Sequence, residues 1–553
     1  MKKERIILFA ILIIAIILRI LCIDKTGGLW YDEIVSYKEA VKINAISVIY
    51  YTLKTDVHLP LYQLFLHYWG KIFSFNDISL RGFSALCGVL TVLSSYFIGK
   101  ELNSKKTGLF CAGFFALNSF LIYYSQEVRM YSFLMLLAAM QLLYLIRIKT
   151  RGEKIDYILF SLFSAGLIYT QTIGFIYVIS TIAGMFGYML IKKDKEKIKS
   201  LVKSLAGIFV LSMPLILYMS LFSANYTEQI NGYYCDWSTL FLVFQDIFTP
   251  ILISINHNPV HYMHELITTM NFSKIFFILI PMSIYAYCIY LASKKDKFSY
   301  VILFSAMAFF IAEVIAFKTT NFKIMSRYLA IIVPNILILA GYGLSLIDNK
   351  KHAQTIVTTL IVIINLSYLI FSPNAAFKLS RNGFKPLANM ILQSDIHSGD
   401  FVVVWNRKEI LDKYIKERIN ILSILKDFSY KSEVILNNEK ELNNMPLEQR
   451  KEKLRAYFTN ADIPHNTVLL LNFIFNNMRD EQKFIITTSS YFDSFTRNDL
   501  KSLATDDKAY SEISYNNLLT IKSLVDIKEL CFKKFKFIKK EQNGDYIMYV
   551  FEK

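Results

Sequence analysis

Proline is scarce, ten in 553 residues, which argues against Pro-rich linkers or arms. Cysteine is scarce too. Cys22, Cys87, Cys111, Cys235, Cys288 and Cys531 form no C-x-x-C pair and no regular spacing, so neither a disulfide framework nor a zinc module is indicated. At least three of them fall in apolar runs and read as unpaired thiols. No glycine-rich phosphate loop follows a strand-like run, which argues against the common nucleotide folds. No internal repeat or low-complexity tract is visible. The stretch 223–273 lacks Lys and Arg altogether.

Apolar residues are abundant instead. They make up 54% of the chain, 15% are aromatic, and the mean hydropathy is +0.37, against about 45–50% apolar for an ordinary soluble domain. The excess is concentrated in residues 1–371, in runs that reach or approach the roughly 20 residues needed to cross a bilayer. Candidate spans are 6–23, 80–99, 107–124, 130–146, 155–171, 173–191, 204–222, 274–293, 299–317, 327–347 and 355–371. The first has a basic start but no small-residue cleavage site, so it reads as a retained span and not a signal peptide.

The stretch 58–75 is also apolar but carries Gln63, His67 and Lys71 on one helical face. Charge decides how to read it. With 58–75 lying in the interface as an amphipathic helix, one set of loops holds 18 Lys or Arg in 36 residues. The opposite short loops hold four in 69. Were 58–75 to span, the basic loops would face outward, against the positive-inside rule. The expected topology has a cytoplasmic amino terminus, external loops 24–79 and 223–273, and residues 372–553 outside. The net charge of +17 is explained by these loops without nucleic acid. The spans and loops form a transmembrane domain over 1–371.

Residues 372–553 are expected to form a separate soluble α/β domain. Its strand-like runs are 401–405, 467–475, 484–492 and 546–551, with helical patterns at 407–418 and 447–459. The segment 528–541 (KELCFKKFKFIKKE) alternates aromatic and basic residues. It could rest on anionic lipid headgroups or be a strand with one solvated basic face.

Ionisable residues gather on the expected outer side. Asp32 and Glu33 follow the first span, where a carboxylate could take a proton from an acceptor or cap a helix. His58 precedes Pro60 at the start of the interfacial helix. Arg81 could snorkel to the interface. Glu127 and Arg129 lie between two spans, with Tyr131 close by. Arg327 and Tyr328 begin another span. An arginine in such a place suits phosphate oxygens, or pairs internally with a carboxylate. His257, His261 and His264 have a spacing that could ligate a metal.

The ordered set WYDE (30–33), HLPLY (58–62), RGFSAL (81–86), SQEVRMY (125–131) and SRYLAIIVP (326–334) resembles the GT-C superfamily. These are membrane glycosyltransferases that use polyprenyl-phosphate sugars, and the match is to their family 39-like branch of protein O-mannosyltransferases and aminoarabinose transferases. It covers residues 1–347. Two details depart from the family pattern: Leu59-Pro60 replaces a Pro-Pro pair, and Gly82-Phe83 replaces Leu-Pro.

The resemblance implies a GT-C-like helical membrane fold and a sugar moved by inverting displacement from a polyprenyl-phosphate donor to an extracytoplasmic lipid, protein or glycan acceptor. It places the catalytic role on Asp32 with Glu33 beside it, and donor-phosphate binding on Arg129 and Arg327, with Arg81 a further candidate. The WWDYG-type signature of oligosaccharyltransferases is absent. A divalent metal is left open as a cofactor. The competing reading is a multi-span transporter or lipid flippase.

Overall fold

The computed structural model describes residues 2–222 except 26 and 57, then 247–248, 272–320, 326–347, 352–371, 385–394 and 400–404. It continues with 413–415, 420–423, parts of 468–478, 482–489, 493–494, 499, 515–543 and 546–553. The chain divides into two compact units. One holds Met1–Lys25 with Asp32–Leu379, the other Thr26–Tyr31 with Ser380–Lys553.

The first unit is helical. Its elements are α1 (Lys2–Ile20), α2 (Tyr31–Ala40), α3 (Ala45–Thr55), α4 (Leu61–Phe73), α5 (Asp77–Leu102), α6 (Lys105–Leu117), α7 (Ser119–Tyr124), α8 (Tyr131–Thr150) and α9 (Lys154–Thr170). There follow α10 (Gly174–Lys192), α11 (Lys195–Phe222), α12 (Phe272–Lys295), α13 (Ser299–Thr320), a 3₁₀ segment (Ser326–Ile332), α14 (Val333–Leu346) and α15 (Ala353–Phe371). All eleven apolar runs fall on helices. Among the described residues, six helices are long and apolar enough to cross a membrane, and Ala353–Ser367 is a shorter apolar helix. The chain is a multi-pass membrane protein.

Local chemistry sets the helix ends. Asn76 caps α5 by accepting the Ser79 N–H at 2.8 Å, and Ser104 caps α6 through the Thr107 N–H at 3.2 Å. The expected continuous span 107–124 is broken. Asn118 ends α6 and caps α7, its side chain accepting the Leu121 N–H at 3.1 Å. Arg19, wholly buried in α1, donates to the carbonyls of Phe115 (2.9 Å) and Ala116 (3.3 Å). Those are last-turn carbonyls with no partner inside the helix.

Small residues let the helices close in, as membrane interfaces favour. A Cβ on Gly343 of α14 would collide with the Cys288 carbonyl of α12, whereas one on Gly113 of α6 would meet nothing. Gly343→Ala is therefore expected to destabilise the unit by about 1–3 kcal/mol, as overpacking does. Gly113→Ala should be neutral. Melting temperatures of the two variants in detergent check this.

The second unit carries a five-stranded sheet in the order β2-β1-β3-β5-β4, with β1 Phe401–Val404, β2 Asn420–Ser423, β3 Lys483–Ser489, β4 Lys536–Asn543 and β5 Tyr546–Glu552. β1 runs parallel to β2 and β3, and β5 antiparallel to β3 and β4. Strand residues alternate between two cores. Val402, Ile485, Met548 and Val550 pack on α16 (Lys385–Gln393) through Leu387 and Ile391. Val403, Phe484, Ile486 and Phe551 pack on α17 (Tyr515–Lys534) through Leu524, Ile527 and Cys531.

Two expectations change. Where described, 467–475 is helical, not strand. The basic-aromatic stretch 528–541 divides between the end of α17 and edge strand β4. Apolar residues three and four apart bury one helical face, a pattern that reading for strands alone overlooks. The helical pattern 447–459, and all of 407–418 except 413–415, lie outside the described residues.

Candidate functional site

Asp32 and Glu33 occupy the first turn of α2, where the helix dipole favours carboxylates. Successive residues on a helix point about 100° apart, and the two diverge. Glu33 turns inward. Its oxygens accept from Arg81 Nε at 2.9 Å and Nη2 at 2.7 Å, and one also accepts the Val128 N–H at 2.9 Å. Both side chains are 0% exposed, and Arg81 also donates to the Ile23 carbonyl at 3.1 Å. Asp32 turns the other way and pairs with Arg327 Nη1 at 2.6 Å, with both side chains 17% exposed. Of the two adjacent carboxylates, only Asp32 borders solvent.

Arg129 sits in the turn between α7 and α8, nearly buried. Its Nη1 donates to the Asp32 carbonyl at 3.2 Å and the Ser36 hydroxyl at 3.1 Å, and lies 3.9 Å from Asp56 Oδ2. The Nε atoms of Arg129 and Arg327 and the Tyr131 hydroxyl are buried without hydrogen-bond partners. Tyr131 is within electrostatic range of both guanidiniums. Tyr328 lies beneath Arg327, its ring 5.8 Å from the guanidinium carbon. Asp32, Arg129, Tyr131 and Arg327 are thus brought together from three parts of the chain. Glu127 is buried in the same turn as Arg129.

His58 is close by. Its N–H donates to Asp56 Oδ1 at 3.3 Å. Burial pushes the imidazole down to about 4. Asp56 opposes the shift, and Arg129 and Arg327 add to it. The ring is therefore uncharged at neutral pH.

Sequence reasoning missed Glu39, Asp56 and the inward role of Gln63. Gln63 and His67 are 0% exposed, and the aromatic face of α4, with Phe65, Tyr68 and Phe73, is the exposed one. Gln63 and His67 therefore point into the unit, whereas Lys71, at the end of the same polar stripe, is exposed. Glu39 lies two turns beyond Asp32 on the same face of α2, a spacing visible in the sequence. Burial and the Asp56 charge push the Glu39 carboxyl well above its ordinary range, against the pull of Arg129. Burial alone would also raise Asp56, but His58 and Arg129 outweigh it and hold that carboxyl below its usual value.

Among the described residues no group of three or more His, Cys, Asp or Glu is placed to hold a metal. His257, His261 and His264 lie outside the described residues.

The class these features define is a polytopic helical membrane protein with an acid–arginine centre where its loops meet the ends of its spans. Residues 57–218 match the family model described as dolichyl-phosphate-mannose-protein mannosyltransferase. The whole chain has the fold of ArnT from Cupriavidus metallidurans. The apo structure of that protein superposes with a TM-score of 0.57 at 10% identity, over 99% of this chain and 98% of that one. Its complex with undecaprenyl phosphate gives 0.52 at 11% identity, over 98% and 97%. No curated protein matches the chain in sequence. The resemblance drawn from the motifs is borne out by the matched family model and the shared fold.

Proposed function

We propose that this protein is an integral membrane glycosyltransferase that moves a sugar from a polyprenyl-phosphate donor to an extracytoplasmic acceptor. The spans are eleven, the amino terminus is cytoplasmic, and the carboxy-terminal α/β unit is external. The observation that carries the reading is the convergence of Asp32 with two arginines that keep unpartnered buried N–H donors, in a unit built for a bilayer. Buried donors without partners are costly, and a phosphate supplies the acceptors they lack.

In the proposed reaction the acceptor hydroxyl or amine attacks the anomeric carbon and Asp32 takes its proton. The bond from the anomeric carbon to the phosphate oxygen breaks with inversion. The charge left on the lipid phosphate is stabilised by Arg129 and Arg327. Arg327 already holds Asp32, so the arriving phosphate competes for that guanidinium and frees the carboxylate to act. Glu33 and Arg81 act as a positioning pair beneath the site. Their mutual burial argues against the roles as catalytic neighbour and phosphate ligand suggested for them from sequence.

Membranes containing the protein should transfer radiolabel from a polyprenyl-phosphate sugar to an endogenous acceptor. Labelling equal to that of membranes lacking the protein would sink the reading. Arg129→Ala should lower kcat about 10²–10³-fold, the scale of losing one charge-stabilising donor, while the variant still folds. Single-turnover rates with purified protein check this. Transport is the less favoured reading: the charged centre sits at one end of the helices, whereas transporter sites lie near the bilayer midplane.

A further inference from the structure

The stretch Thr26–Tyr31 lies in the chain between the first span and α2, yet it packs within the second unit. Gly27, Gly28, Leu29 and Trp30 are buried. The Gly27 carbonyl accepts the N–H of Lys385 at 3.1 Å. Lys385 opens α16, so that N–H is one that a helix leaves without a partner of its own. The Leu29 N–H donates to the Tyr414 hydroxyl at 2.7 Å. Tyr414 in turn packs on the core of Leu387, Ile391 and Val402. Gly28 has a φ of +71°, and a Cβ there would meet the Tyr414 hydroxyl oxygen at 2.6 Å and Lys385 Cβ at 2.8 Å. The grip therefore favours glycine at this position, both for its backbone and for lack of space.

We propose that this grip sets the first turn of α2, so that Tyr414 and Gly28 are positioning residues for Asp32. The role rests on Asp32 being the proton acceptor of the reaction above. Connectivity carries it. α2 begins at Tyr31, the residue after Trp30, and Asp32 comes next. No loop separates the held stretch from the carboxylate, so its position passes directly into the helix.

The geometry of a helix start makes this position matter. Winding or unwinding one residue there turns a side chain by about 100° and shifts it by about 1.5 Å. That step is the one that separates Asp32, paired with Arg327, from Glu33, paired with Arg81. A misplacement of about 1 Å is enough to lower a rate about a hundredfold. Arg129 and Arg327 stand on other elements, between α7 and α8 and in the 3₁₀ segment. Loosening the grip should therefore spare the phosphate ligands.

Two variants of the full chain address the grip. Tyr414→Phe removes the hydroxyl that accepts the Leu29 N–H, and Gly28→Ala crowds the same place. In membranes supplied with their own radiolabelled polyprenyl-phosphate sugars, each should transfer sugar about ten- to a hundredfold more slowly per molecule. Purified in nanodiscs, each should still bind undecaprenyl phosphate within about twofold of the wild type. Amide exchange across 27–31 should be about tenfold faster in Tyr414→Phe, the scale of one lost buried hydrogen bond. Exchange in β3 and β5 should not change. Ile527→Val, which trims the core on the other face of the sheet, should alter neither transfer nor exchange across 27–31.

Wild-type transfer in both variants overturns the positioning role and leaves the glycosyltransferase reading standing. An equal loss of transfer in Ile527→Val also overturns it, because the effect would then be general loosening of the unit. A wild type that transfers no sugar overturns the glycosyltransferase reading, and the role with it. Should Gly28→Ala not fold, Tyr414→Phe, which removes a single oxygen, gives the same measurement.

Discussion

Asp32→Asn is expected to lower the rate of sugar transfer by about 10²–10⁴-fold, the range a positioned general base contributes, without unfolding the protein. The side chain sits at the first turn of α2 with 17% exposure, paired to Arg327 at 2.6 Å. Asparagine keeps the volume and can still accept a hydrogen bond from Arg327, but it cannot take a proton. Because Arg327 would no longer face a negative charge, the variant should bind polyprenyl phosphate at least as tightly as the wild type. The loss should therefore fall on kcat and not on donor affinity. Single-turnover transfer alongside donor binding separates the two. A variant with full transfer would remove Asp32 from the chemistry, and one that lost donor binding instead would make it a structural partner of Arg327.

Breaking the Glu33–Arg81 pair should have the largest effect on stability. Both side chains are wholly out of solvent and joined by two hydrogen bonds. Removing one partner strands the other as a buried charge, which typically costs about 3–5 kcal/mol. Arg81→Met or Glu33→Leu alone should sharply lower the melting temperature of the detergent-solubilised protein. The double variant should recover much of the loss, since an apolar replacement of a buried pair is often near neutral. If the double variant were no better than the worse single one, the pair would matter through its other contacts, to the Ile23 carbonyl and the Val128 N–H. Activity in a folded double variant would further show that neither residue touches donor or acceptor.

The helices were legible because each depends on a short stretch of sequence. An apolar run of span length becomes a helix wherever it stands, since a backbone in lipid has no other way to pair its own N–H and C=O groups. The split of 107–124 was not legible, because it depends on the Asn118 cap and on Arg19, far away in the sequence, which donates to the Phe115 and Ala116 carbonyls at the end of α6. The strands at 401–404, 483–489 and 546–552 follow apolar runs of strand length. The helical residues within 467–475 have the same composition, and there length and periodicity did not decide between the two.

Within the candidate site, the residue types and their placement on one side of the spans were contained in the sequence. Their pairing was not. Asp32 and Glu33 are neighbours in the chain, and composition gives no reason to treat them differently. A rotation of about 100° between them sends one to Arg81 in a dry interior and the other to Arg327 at the edge of solvent. Glu39, Asp56 and Gln63 likewise looked like ordinary loop and interface residues until α2, α3 and α4 folded onto one another.

The sequence by itself determined that this is a membrane protein and where its helices run, because hydrophobic length and periodicity act locally. Only the tertiary structure decided which charge meets which, because the energy of an ion pair depends on the burial and geometry of both partners. Those are set by helices far apart along the chain.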